Sequence, residues 1–142
     1  MEPSERRPDE DIEEEIGTLI RTYPPLKASR PYFTFQARNG HVKLTGNVLS
    51  PQARQVLCDN VPRIQGVKGC DCSELYDDEM VRFAVGQILP PGVVVSVRYG
   101  TVALTGQLPD GAKPEVIQAA AAKVPGVRRV GAEFWTSTPN PK

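Results

Sequence analysis

The sequence predicts an α+β protein made of two repeated αββαβ units, each a three-stranded sheet with two helices packed on one face. Three observations carry this. The heptapeptide GHVKLTG at 40–46 returns as GTVALTG at 100–106. The same sixty-residue shift lays Asn39-Gly40 on Tyr99-Gly100, Val56-Leu57 on Val116-Ile117, Val61 on Ala121, Ile64 on Val124 and Gly66-Val67 on Gly126-Val127, a gapless agreement that indicates internal duplication. Within each copy the spacing of apolar residues switches between helical and alternating periods in the same order.

The elements follow in turn. Ile12, Ile16, Leu19, Ile20 and Tyr23 recur at three and four, the stripe of an amphipathic helix that Pro24-Pro25 should end. Met80, Val81, Ala84, Val85 and Ile88 repeat it before Pro90-Pro91, with Asp77 and Asp78 near the start, where acidic groups suit the helix dipole. A hairpin comes next. Phe33, Phe35 and Ala37 alternate with polar residues, Asn39-Gly40 supplies a two-residue turn, and Val42 and Leu44 alternate on the return. Val93, Val95 and Val97, then Tyr99-Gly100, then Val102 and Leu104 repeat it. Gly46 and Gly106 close the second strands, where positive φ or a close backbone approach is expected.

Ser50-Pro51 starts a second helix with a cap residue and a proline at the first position, and Pro62 stops it near residue 61. Val116, Ile117, Ala120, Ala121 and Val124 are its counterpart, closed by Pro125-Gly126. Val67, Cys70 and Cys72 then match Val127, Val130 and Ala132 as third strands, with Phe134 extending the second. One greasy and one polar sheet face put both helices on the same side. The expected organisation is a flexible tail at 1–10, domains at 11–72 and 73–135, and a flexible tail at 136–142. Sixty residues alone make a marginal core, so the two units are expected to pack together, or a dimer to serve the same end.

Composition limits the function. Seventeen basic and seventeen acidic residues balance, ten of each sign up to Cys72 and seven after it, so neither half has the basic excess of a nucleic-acid binder. The acidic opening MEPSERRPDEDIEEEIG is unlike a secretory signal, and no run of eighteen apolar residues could span a membrane. A cytoplasmic protein is expected, with envelope association as the alternative.

Two strands ending in leucine-threonine-glycine, and a closing valine-proline-glycine-valine-x-x-valine in the second unit, make the chain resemble tandem BON-domain proteins, named for osmotically induced and nodulation-related bacterial proteins. Val102, Leu104, Thr105, Gly106, Val124, Pro125, Gly126, Val127 and Val130 carry the pattern in the second unit. Val42, Leu44, Thr45, Gly46, Gly66 and Val67 carry it in the first, with Ile64-Gln65 and Cys70 departing from it. The resemblance implies a two-layer α/β module of unknown function that associates with phospholipid surfaces or holds other proteins near an envelope.

No residue set suggests catalysis, a cofactor or a metal. His41 lies on the polar face beside Lys43 with no acid or nucleophile tied to it, and reads as a surface histidine. Three cysteines, an odd number, argue against a disulfide scaffold, and Cys70 and Cys72, two apart on a strand, sit too far apart to bridge without distortion. Both align with small apolar residues and are expected to be buried, inert thiols, with Cys58 the exposed one. The acidic run from Asp9 to Glu15 reads as helix surface. No GxGxxG or GxxxxGK cradles phosphate, and the GxxG clamp of a KH module is missing.

The candidate interaction surface is Arg98, Tyr99, Arg128, Arg129 and Trp135, arginine with amphipathic aromatics, which suits anionic phospholipid or a protein partner. The alternative places Trp135 against the first unit with the arginines solvated. The expected function is a non-enzymatic tandem binding module with no nucleic-acid partner. The alternatives are a structural domain acting through a weak homodimer, or an enzyme with a site at an inter-domain cleft.

Overall fold

In the computed structural model, which describes residues 8–136, α1 (Asp9–Thr22) buries Ile12, Ile16 and Ile20 on one stripe, each worth about 2 kcal/mol relative to exposure. Of the expected tails, residues 1–7 and 137–142 lie outside the described residues. The chain divides into two compact units between Asp77 and Asp78.

Pro24-Pro25 ends α1, and it also begins something the spacing did not reveal. Tyr23 is extended, with φ −119° and ψ 107°, and the prolines then occupy the first turn of a short helix, α2 (Pro24–Ser29), where a missing N–H costs nothing. Leu26 of α2 is buried.

The strands β1 (Phe33–Arg38) and β2 (His41–Val48) pair antiparallel from Arg38 opposite His41 to Phe33 opposite Gly46. Asn39 and Gly40 take φ of 53° and 82°, so the turn is the two-residue type whose twist matches the strands. In α3 (Pro51–Asn60) the Ser50 hydroxyl accepts from the Ala53 N–H at 3.1 Å. A 3-10 turn at Val61–Arg63 accommodates Pro62. Finally β3 (Gly69–Asp77) pairs parallel to β2, giving the order β1-β2-β3, with a register irregularity between Lys43 and Thr45.

The second unit repeats the order with α4 (Asp78–Gly86), β4 (Val93–Arg98), β5 (Thr101–Leu108), α5 (Pro114–Ala122) and β6 (Arg129–Thr136). Its sheet order is β4-β5-β6, with an unbroken register in both pairings. Tyr99 and Gly100 take φ of 50° and 80°, like Asn39 and Gly40. Gly46 and Gly106, at φ 121° and 130°, pass close to the backbone that enters the neighbouring strand: a side chain at Gly106 would strike the Gly92 carbonyl oxygen.

One carboxylate in each unit ties helix start to hairpin turn. Asp9 accepts from the Asn39 and Gly40 N–H groups at 2.8 and 2.9 Å. Asp78 accepts from those of Tyr99 and Gly100 at 2.8 and 3.3 Å. The two aspartates stand sixty-nine residues apart but the turns sixty, so the second unit is nine residues shorter between first helix and hairpin. The end of α1 and all of α2 have no helical counterpart in the second unit.

That difference shows in the core. The first unit buries Phe33, Ala37, Leu44, Leu57, Val61 and Leu75 among fourteen apolar residues of one cluster. The second buries Val81, Val85, Tyr99, Val102, Leu104, Leu108 and Ala121 among the described residues.

Candidate interaction surface

The period-two alternation of the hairpins puts one set of side chains under the helices and leaves the other facing away. In the first unit the outward set closes on itself. Thr34 and Thr45, opposite each other, share a hydrogen bond of 2.8 Å, and Lys43 pairs with Glu74 at 3.5 Å.

The second unit's outward set is different in kind. Ser96, Ala103 and Gly131 stand side by side across all three strands, and all are exposed. Space above Gly131 is open. This row of small side chains leaves a shallow trough. Arg98 and Arg129 border it at the turn end, each opposite Thr101. Val94, 64% exposed, Thr105 and Glu133 border the other side, with Trp135, 57% exposed, one row beyond.

The sequence-predicted residues therefore separate. Arg98, Arg128 and Arg129 gather at the hairpin end, where the Arg128 N–H donates to the Gly100 carbonyl at 2.8 Å. Trp135 lies six residues further along β6, opposite Gln107, roughly 20 Å away at strand rise. Tyr99 is a turn residue only 7% exposed, so it is not part of the exposed surface. The Arg98 guanidinium lies over its ring, 5.6 Å from the centroid. Sequence reasoning missed the trough itself. Its signal was the small residues Ser96, Ala103 and Gly131, which acquire meaning only once the register places them in one row.

The cysteines require a correction. Cys58 and Cys72 form a disulfide between α3 and β3, with Cα atoms 6.3 Å apart, and Cys70 is the free thiol. An odd count excludes complete pairing, not one bridge. The exposed helix position given to Cys58 is half-buried over β3. Burial first, and the neighbouring Asp71 charge second, push the Cys70 thiol above its ordinary range. Asp71 itself is held below the usual carboxylate range, chiefly by the Ser73 hydroxyl and then by the Ser73 N–H, at 2.6 and 2.9 Å.

His41 is exposed at the hairpin end of the first sheet. Among the described residues no group of three His, Cys, Asp or Glu could hold a metal. An open groove of about 480 Å³ in the second unit is lined, among the described residues, by Ile88, Leu89, Pro90, Lys113, Val116 and Ile117.

Comparison with known proteins agrees with that architecture. Residues 77–134 match the BON domain family. The first unit repeats the same order of elements, so the whole is tandem-BON-like in build. The C-terminal domain of CdsD, a structural protein of the type III secretion system of Chlamydia trachomatis, shares the fold at a TM-score of 0.71 and 20% identity, over 94% of this chain and 68% of that one. A second structure of CdsD aligns at 0.66 and 20%, over 92% of this chain and 64% of that one. No curated protein matches. Among the described residues no helix is long and apolar enough to cross a membrane.

Proposed function

Taking residues 77–134 as a BON domain, we propose that the chain is a non-enzymatic tandem BON module whose second unit docks a protein partner at an envelope. The observation that carries this is the contrast between the two outer sheet faces. Thr34–Thr45 and Lys43–Glu74 contacts satisfy the first. The second offers the trough of Ser96, Ala103 and Gly131, with Arg98 and Arg129 on one side and Val94, Thr105 and Glu133 on the other, Trp135 standing one row beyond. Small side chains let a partner element approach closely, and rim arginines and an exposed tryptophan are the residue types that anchor interfaces. The first unit, with the larger core, serves as the support. An envelope setting is favoured by the Cys58–Cys72 bridge, which suits an oxidising compartment, and by the likeness to a secretion-system structural protein.

A photo-crosslinking residue at Ala103 tests the docking reading, with the same residue at Gln36 on the first unit's outer face as control. A discrete adduct with another protein at 103 and none at 36 is expected. The reverse pattern would defeat the reading.

The gathering of Arg98, Arg128 and Arg129 at one end favours a second reading, contact with anionic phospholipid. Sedimentation with phosphatidylglycerol vesicles at low salt checks it: cosedimentation lost on reversing Arg98 and Arg129 to glutamate supports lipid, and none at all excludes it.

A further inference from the structure

We propose that β4 is a strand-addition edge that pairs antiparallel with β4 of a second copy of this chain, centred on Val95. The edge is open by geometry. β4 is an outer strand of its sheet. With Arg98 and Thr101 closing a two-residue turn, hydrogen-bonded and non-hydrogen-bonded pairs alternate from there, so Val97 and Val95 direct their N–H and C=O groups away from β5.

The first unit shows how such an edge is blocked. Ala37 is the counterpart of Val97, and its N–H donates to the Glu13 carboxylate at 2.8 Å. The shift that carries Asp9 to Asp78 carries Glu13 to Arg82, which has no acceptor to offer and is paired with Glu79. Among the described residues no side chain caps Val95 or Val97.

The same shift carries Glu14 to Phe83. Glu13 and Glu14 line the groove between α1 and Phe35 of β1, and Phe83, at the equivalent position to Glu14 on α4, is 70% exposed. On β4 Val93, Val95 and Val97 are all half-buried, whereas of their counterparts Phe33 and Ala37 are buried and Phe35 half-buried. The other free edges carry charge that discourages pairing: Asp71 and Glu74 on β3, Arg129 and Glu133 on β6.

A second copy fits because β4 is complementary to itself. Antiparallel pairing about Val95 sets Val94 against the partner's Ser96, and Arg98 against the partner's Gly92, so no like charges meet. Equal numbers of basic and acidic residues, seventeen of each, leave no net repulsion to overcome. One face of the joined strands is apolar, with Val93, Val95 and Val97, and the other carries Val94, Ser96 and Arg98.

Sedimentation velocity of the full chain, up to about 1 mM, is the test. A monomer–dimer equilibrium is expected. Arg82→Glu, which restores the blocking carboxylate, should weaken the dimer by more than about tenfold. Val95→Pro, which removes only an outward-facing donor, should do the same to the dimer. A chain that stays monomeric throughout, a dimer indifferent to Arg82→Glu, or one broken by Ala103→Arg and not by Arg82→Glu would overturn the proposal.

Discussion

At the scale of single residues, backbone geometry makes the firmest demands. Gly106→Ala should destabilise the second unit by about 3 kcal/mol, since its φ of 130° and the nearby Gly92 carbonyl leave no room for a side chain. Gly111→Ala, at φ 86° in open space, should cost about 1 kcal/mol. Trp135, the only tryptophan, reports on this unit in urea. Asp78→Ala strands the Tyr99 and Gly100 N–H groups and should cost about 2 kcal/mol by the same measurement. Asp71 gives a prediction without an energy. Because folding depresses its carboxyl, what the ion contributes is present at neutral pH and lost as pH falls below about 4. Ser73→Ala should move its NMR titration back up towards the ordinary range. Cys70 is shifted the other way, so the folded state favours its neutral thiol, an effect lost as pH rises through the raised pKa. Thiol labelling should be slow at neutral pH, and Asp71→Asn should speed it.

Among the elements, the pairing of α3 with β3 is the most heavily fastened. Arg54 donates to the Leu75 and Cys72 carbonyls at 2.6 and 2.9 Å, and the Cys58–Cys72 bridge closes a sequence separation of 14 residues. Reduction should lower the stability of the first unit by about 3 kcal/mol, read from its amide exchange, while Trp135 fluorescence records an unchanged second unit. The helices and hairpins were legible in the sequence because their signals are local: the isoleucine stripe of α1, Asn39-Gly40, Ser50-Pro51. β3 was legible only to Cys72. The irregularity between Lys43 and Thr45 inserts a residue opposite β2 and breaks the match to β6, hiding buried Leu75. The bridge was hidden too, since it depends on how a helix lies over a strand. Of the site, the arginines were legible as residue types, whereas the Ser96, Ala103 and Gly131 row needed the register of two strand pairs.

For the whole molecule, the copies share a plan and differ in filling. The first unit buries about twice as many apolar side chains as the second, fourteen against seven among the described residues. Urea should therefore unfold the chain in two steps, Trp135 changing before the amides of Leu44 and Leu57 lose protection. A single coincident transition would show that the copies stabilise each other instead. The nine-residue difference between first helix and hairpin leaves the two halves unequal in what they can spare. A substitution costing about 3 kcal/mol meets a large core in the first unit and a small one in the second, so the tolerance of the chain to change should be set by its second half.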